Sequence, residues 1–111
     1  VAHNLTIIQG ATFSVAWPIT DANGQPIDMT DWTIRSQIRA AIASPVVLHE
    51  FSTALGNATI DAGRVVITVR PIESTAWTWR RGVYDVELTD LLGRVARISE
   101  GHVKVSPEVT R

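Results

Sequence analysis

Three histidines, His3, His49 and His102, are the side chains best suited to acid–base or metal chemistry, and they sit in three separate segments with no second histidine at ligand spacing. A zinc site needs three or four ligands converging on one point, and this pattern gives none a partner. Cysteine is absent, which removes thiolate nucleophiles, disulfides and Cys-ligated zinc together. No Gly-x-Ser-x-Gly elbow, P-loop or His-Glu-x-x-His occurs. Asp21, Asn23, Asp28 and Asp31 lie close enough to suggest a calcium loop. They lack its regular ligand spacing and bidentate Glu, and Asn23-Gly24 accounts for the segment as a tight turn. The expectation is a non-enzymatic protein with no cofactor and no metal.

Tryptophan carries more information. There are four in 111 residues, and Trp77 and Trp79 flank Thr78 just before Arg80-Arg81. Aromatic rings beside guanidinium groups anchor protein interfaces or stack on sugars and bases. The same rings can also close one end of a hydrophobic core, with Trp17 and Trp32 expected inside it. The tail Pro107–Arg111 is too short to fold alone and is read as frayed or docked on a neighbour. Trp77, Trp79, Arg80, Arg81, Val109 and Arg111 are therefore the candidate partner-binding residues.

Charge and hydropathy narrow the partners. Ten Lys plus Arg oppose eleven Asp plus Glu, so no strong field recruits nucleic acid or an anionic membrane. No apolar run approaches the ~20 residues of a membrane span. No signal-peptide pattern is present, so the chain reads as cytosolic at synthesis, and a start at Val1 fits removal of an initiator Met.

The elements that must position these residues read as short strands. Gly82–Thr89 puts Tyr84, Val86 and Leu88 on one face and Asp85, Glu87 and Thr89 on the other, the alternation of a half-buried sheet. Asp90-Leu91-Leu92-Gly93 then joins it to Arg94–Glu100 as a β-hairpin. Trp32–Arg39 alternates equally cleanly, with Ile34, Ser36 and Ile38 opposing Arg35, Gln37 and Arg39. Leu5–Gln9, Thr12–Trp17, Val46–Phe51, Asn57–Asp61, Arg64–Arg70 and His102–Ser106 complete the set. Pro18 confines its strand to an edge or an end. Pro71–Trp77 reads as one short helical turn, because Pro suits the first turn and Glu73 favours the N-terminus. His49, beside Glu50, reads as half of a solvated pair.

A chain of 111 residues is the size of one domain with one core. Seven to nine short strands separated by turn residues predict an all-β, immunoglobulin-like antiparallel β-sandwich over 1–111 with one short helical turn; a small barrel is the rival. Tyr84, at the start of a late strand, is either the tyrosine-corner residue of such sandwiches or an ordinary core tyrosine.

Several segments carry a likeness. Gly10-Ala11-Thr12-Phe13, the run Asp21–Thr30, Trp32-Thr33-Ile34-Arg35, Arg80–Leu88 and Glu100–Val105 together resemble the immunoglobulin-like N-terminal domain of tailed-bacteriophage baseplate upper proteins. They also resemble stand-alone proteins of similar size in phage structural gene blocks. The likeness spans nearly the whole chain, and it brings no catalytic motif to carry over. It implies a structural protein of the phage virion, assembled in the host cytoplasm. Such a protein would dock on other virion proteins as a tail or baseplate adaptor or a capsid decoration subunit, homo-oligomeric in the particle. From another class, the residues also admit a carbohydrate-binding module using an exposed Trp77 or Trp79.

Overall fold

A computed structural model describes residues 3–109. Among them are eight strands and one helix: β1 (Leu5–Ile8), β2 (Phe13–Pro18), β3 (Thr33–Arg39), β4 (Val47–Ser52), β5 (Ala58–Asp61), β6 (Arg64–Val69), α1 (Pro71–Thr75), β7 (Arg81–Thr89) and β8 (Val95–Ser106). The strands form a five-stranded sheet in the order β1-β8-β7-β3-β4 and a three-stranded sheet in the order β2-β6-β5, packed face to face as a sandwich. The all-β expectation holds. The helix is too short to cross a membrane.

The alternation read in the sequence is the alternation of burial. Ile34, Ser36 and Ile38 are buried on β3 while Thr33 and Arg35 are exposed, and Tyr84, Val86 and Leu88 are buried on β7. Successive side chains on a strand point to opposite faces, so these residues meet Val65, Ile67 and Val69 of the other sheet in one core. Pro18 ends β2, which is an edge strand, as its missing N–H requires.

Three features depart from the sequence reading. The sandwich is not wholly antiparallel, because β1 pairs parallel to β8, Leu5 opposite Val103 and Ile7 opposite Val105. The strands expected at Arg94–Glu100 and His102–Ser106 are one, β8, running unbroken through Gly101. Trp17 and Trp32 sit half-buried at the margin of the core.

Strand registers define two ends of the molecule, whose longest dimension is 45 Å. At one end, Arg81 opposes Lys104, Arg39 opposes Val83, and β6 leads into α1. This end also holds the loop after β3 and the segment after Ser106. At the opposite end, Thr33 opposes Thr89, the β7–β8 turn projects, and the loop between β2 and β3 folds onto the β5–β6 turn, Ile19 N–H donating to the Gly63 carbonyl at 3.0 Å.

Candidate functional site

The segment carrying Trp77, Trp79, Arg80 and Arg81 is positioned by α1. Pro71 opens the helix, where its missing N–H costs nothing. Glu73 reaches back to accept from both the backbone N–H and Nε of Arg70, each at 3.1 Å. Ser74 is fully buried, and its Oγ accepts from the Gly10 N–H at 2.8 Å. Gln9, also buried, donates through Nε2 to the carbonyls of Ser74 at 3.0 Å and Trp77 at 2.9 Å. One side chain on the β1 exit thereby clamps the whole of α1 and the start of the tryptophan segment.

An aromatic cluster follows from that clamp. The Trp77 and Trp79 rings lie 4.7 Å apart between centroids and 33° from parallel. His49 meets Trp77 at 5.0 Å and Phe51 at 4.8 Å, both edge to face, the arrangement aromatic quadrupoles favour. His49 faces Glu73, Nε2 to Oε2 at 3.6 Å, and does not form the solvated pair with Glu50 that their adjacency in sequence suggests. It shares a strand face with buried Phe51, two residues on, and β4 is bulged at Leu48. Burial pulls the His49 imidazole below its ordinary pKa and outweighs the pull of the Glu73 carboxylate. Burial pushes Glu73 up, but the two hydrogen bonds from Arg70 and the charges of His49 and Arg70 hold it below the usual carboxylate value. Neutral His49 beside ionised Glu73 is the arrangement at neutral pH. His49 Nε2 and Trp79 Nε1 are buried without a hydrogen-bond partner.

The residues expected to bind a partner divide by exposure. Trp77 and Trp79 are half-buried and pack against the core, so they close the end of the sandwich. Arg80 and Arg81 are exposed; Arg80 Nη1 donates to the Trp79 carbonyl at 3.1 Å, and its own carbonyl takes the Val105 N–H at 2.8 Å. Val109 is exposed. Its neighbour Glu108 is drawn to the same end, its N–H donating to Gln9 Oε1 at 3.4 Å and its Oε1 accepting from Thr75 Oγ1 at 3.3 Å. Arg111 lies outside the described residues. The tryptophan–arginine segment and the C-terminal segment, far apart in sequence, thus form one surface.

Sequence reasoning missed Gln9 and Ser74, which position that surface, and the turn residues Leu91 and Leu92, 69% and 79% exposed at the opposite end. Two leucines in a turn that demands only Asp and Gly were a signal available in the sequence. The alternative for Tyr84 resolves to a core tyrosine. Its hydroxyl donates to the His3 carbonyl and lies 2.9 Å from Ser99 Oγ, whereas a tyrosine corner bonds a few residues upstream. Among the described residues, no three His, Asp or Glu side chains gather as metal ligands. The histidines are dispersed: His3 edges onto Trp17 at 6.1 Å, His49 lies under Trp77, and His102 is on the outer face of β8. Compared with known proteins, the chain matches no family model and no curated protein.

Proposed function

We propose that this protein is a non-enzymatic structural subunit of a tailed-phage virion that docks on other virion proteins, as a tail or baseplate adaptor or a capsid decoration subunit. The observation that carries the reading is the strand order. A sheet ordered β1-β8-β7-β3-β4 over one ordered β2-β6-β5, with a helical turn between β6 and β7, is an order that an immunoglobulin-like reading of the sandwich would require. It thereby supports the likeness to the baseplate immunoglobulin-like domain over nearly the full chain. A fold alone does not carry a function; further support comes from the ends. Large apolar side chains stand exposed there on well-bonded turns, the anchors a docking subunit needs.

The rings a sugar platform would use lie against each other, and Trp77 also against His49, which favours protein docking over carbohydrate binding. The test is fractionation of phage lysates into intact heads and detached tails. The protein is expected with one of them in fixed stoichiometry. Recovery with neither overturns the virion reading, and glycan binding by the isolated protein, lost in Trp79→Ala without loss of fold, would replace it with the carbohydrate-binding one.

A further inference from the structure

The charges of this nearly neutral chain are sorted by end. The β7–β8 turn, the β2–β3 loop and the β5–β6 turn carry Asp21, Asp28, Asp31, Asp61 and Asp90 against Arg64 and Arg94, five carboxylates against two guanidiniums. The α1 end carries Arg39, Arg70, Arg80, Arg81 and Lys104 against Glu73 and Glu108, five cations against two carboxylates. Among the described residues one end is therefore −3 and the other +3.

Internal pairing leaves this polarity in place. Asp61 is held by Arg64 at 3.4 Å and Asp90 by Arg94 at 2.7 Å, while Glu73 takes Arg70 at 3.1 Å. Among the described residues, Asp21, Asp28 and Asp31 at one end, and Arg80, Arg81 and Lys104 at the other, make no ion pair.

Each charged end also carries exposed apolar side chains. Leu91, Leu92 and Val95 (69%, 79% and 59% exposed) stand at the acidic end, and Ile42, Val46 and Ile72 (90%, 60% and 75%) at the basic end. The leucine turn is rigidly built: Asp90 Oδ1 accepts from the N–H of Leu92 at 2.9 Å and of Arg94 at 3.0 Å, and Asp90 N–H donates to the Arg94 carbonyl at 3.0 Å. A knob already ordered loses little entropy on docking.

We propose that this end-to-end complementarity joins copies of the chain head to tail. The Leu91–Leu92 turn and acidic loops of one copy dock on the Ile42, Val46 and Arg80–Arg81 surface of the next. Two copies meeting by like ends would set −3 against −3 or +3 against +3, so charge selects the heterologous contact. Every added copy leaves one unused end of each kind, so the assembly is a ring if the rotation closes and a row if it does not. The inference names a partner within the assembly reading above and rests on that reading only for its setting.

Sedimentation velocity of the full chain tests it. Association is expected to rise with protein concentration and to weaken about tenfold or more between roughly 20 mM and 500 mM salt, because exposed charges are screened within a Debye length. Leu91→Ser/Leu92→Ser and Arg80→Glu/Arg81→Glu are each expected to be monomeric alone. Mixed, they should form a one-to-one dimer that grows no further, since each retains the end the other lacks. Melting curves establish folding, and Asp28→Asn/Asp31→Asn replaces the leucine variant if that one misfolds, weakening association and its salt dependence. A wild-type chain monomeric at low salt and high concentration overturns the proposal. So does a mixture that stays monomeric, or variants that associate as the wild type does. Particle fractionation is independent of all three, so failure here leaves the virion reading standing.

Discussion

Gln9→Met should loosen the α1 end more than any surface substitution there. Methionine keeps the length and volume of the side chain but removes the carboxamide, so packing is nearly conserved and the hydrogen bonds are not. The wild-type amide makes two short bonds, to the Ser74 carbonyl at 3.0 Å and the Trp77 carbonyl at 2.9 Å, plus two weaker ones, to the Thr75 carbonyl and from the Glu108 N–H, each at 3.4 Å. Each good bond contributes about 0.5–1.5 kcal/mol net, and the Trp77 carbonyl left unpaired adds about 1 more, while the Ser74 carbonyl keeps the Trp77 N–H at 3.0 Å. The loss is therefore about 2–4 kcal/mol. At about 4 °C per kcal/mol for a chain of this size, that lowers the melting temperature by about 8–16 °C. Thermal melts followed by far-ultraviolet circular dichroism measure it, and a red shift of tryptophan emission should accompany it as Trp77 and Trp79 gain water. Gln9→Glu should cost more than Gln9→Met, because a carboxylate can donate nothing and opposes the carbonyl oxygens of Ser74, Thr75 and Trp77. A Gln9→Met variant melting within about 2 °C of wild type would refute the clamp.

Four further outcomes follow from the same geometry. Val86→Asp should cost about 3 kcal/mol or more, since Val86 is fully buried between Tyr84 and Leu88 and the new carboxylate has no partner; Glu87→Gln, on the outer face, should be mild, and urea midpoints in the opposite order would reverse the face assignment. Gly82→Ala should cost about 1–3 kcal/mol by overpacking, because its Cβ would stand 2.8 Å from Ile38 Cγ2 and 2.9 Å from the Arg39 carbonyl; an unchanged midpoint would mean that β3 yields. Trp79→Phe should stay within about 1 kcal/mol of wild type, because the ring area lost is offset by removing a buried, unpaired N–H; chemical denaturation reads it. With His49 held below 6.5 in the fold, the unfolded chain takes up this proton first, so the stability present above pH 6.5 falls as pH drops toward the lowered native value, and Glu73, held below 4.5, adds a second loss beneath that pH. His49→Leu should flatten the upper part of that profile, and a profile left unchanged would mean that another group carries it.

The faces of the sheets were legible in the sequence and the ends were not, for a physical reason. On a strand, burial has period two, so Ile34-Arg35-Ser36-Gln37-Ile38 announces its own inner and outer sides. The α1 end has no period. It is built by Gln9 meeting Ser74 and Trp77 across more than sixty residues of chain, and a glutamine closing a strand looks like any polar terminus. The tryptophans were found by rarity, and what rarity could not supply was orientation. Whether Trp77 and Trp79 face solvent depends on His49 and Phe51, whose strand is separated from them by β5, β6 and α1. Arg80 and Arg81 fell on the exposed side as charge dictates, and the acidic end passed unnoticed because a near-zero net charge conceals a polarity between ends.

Strand direction is the other property that a local pattern does not hold, and β1 shows what sets it. Its entry is fixed by residues far along the chain: the Tyr84 hydroxyl donates to the His3 carbonyl, His3 N–H donates to the Glu100 carbonyl at 2.7 Å, and Asn4 Oδ1 accepts from the His102 N–H at 3.0 Å. All three contacts converge beside Gly101, where a Cβ would stand 2.6 Å from the His3 carbonyl oxygen. Read alone, Gly101 ends or bulges a strand, so the sequence pattern divides β8 in two. In the fold it keeps β8 continuous and supplies the gap through which the N-terminal segment crosses onto the sheet. A side chain there would drive His3 away, strip the buried Tyr84 hydroxyl of one partner and unseat the parallel pair. The glycine is required by close approach across ninety-eight residues of chain, between His3 and Gly101, and only the assembled sheet makes that requirement visible.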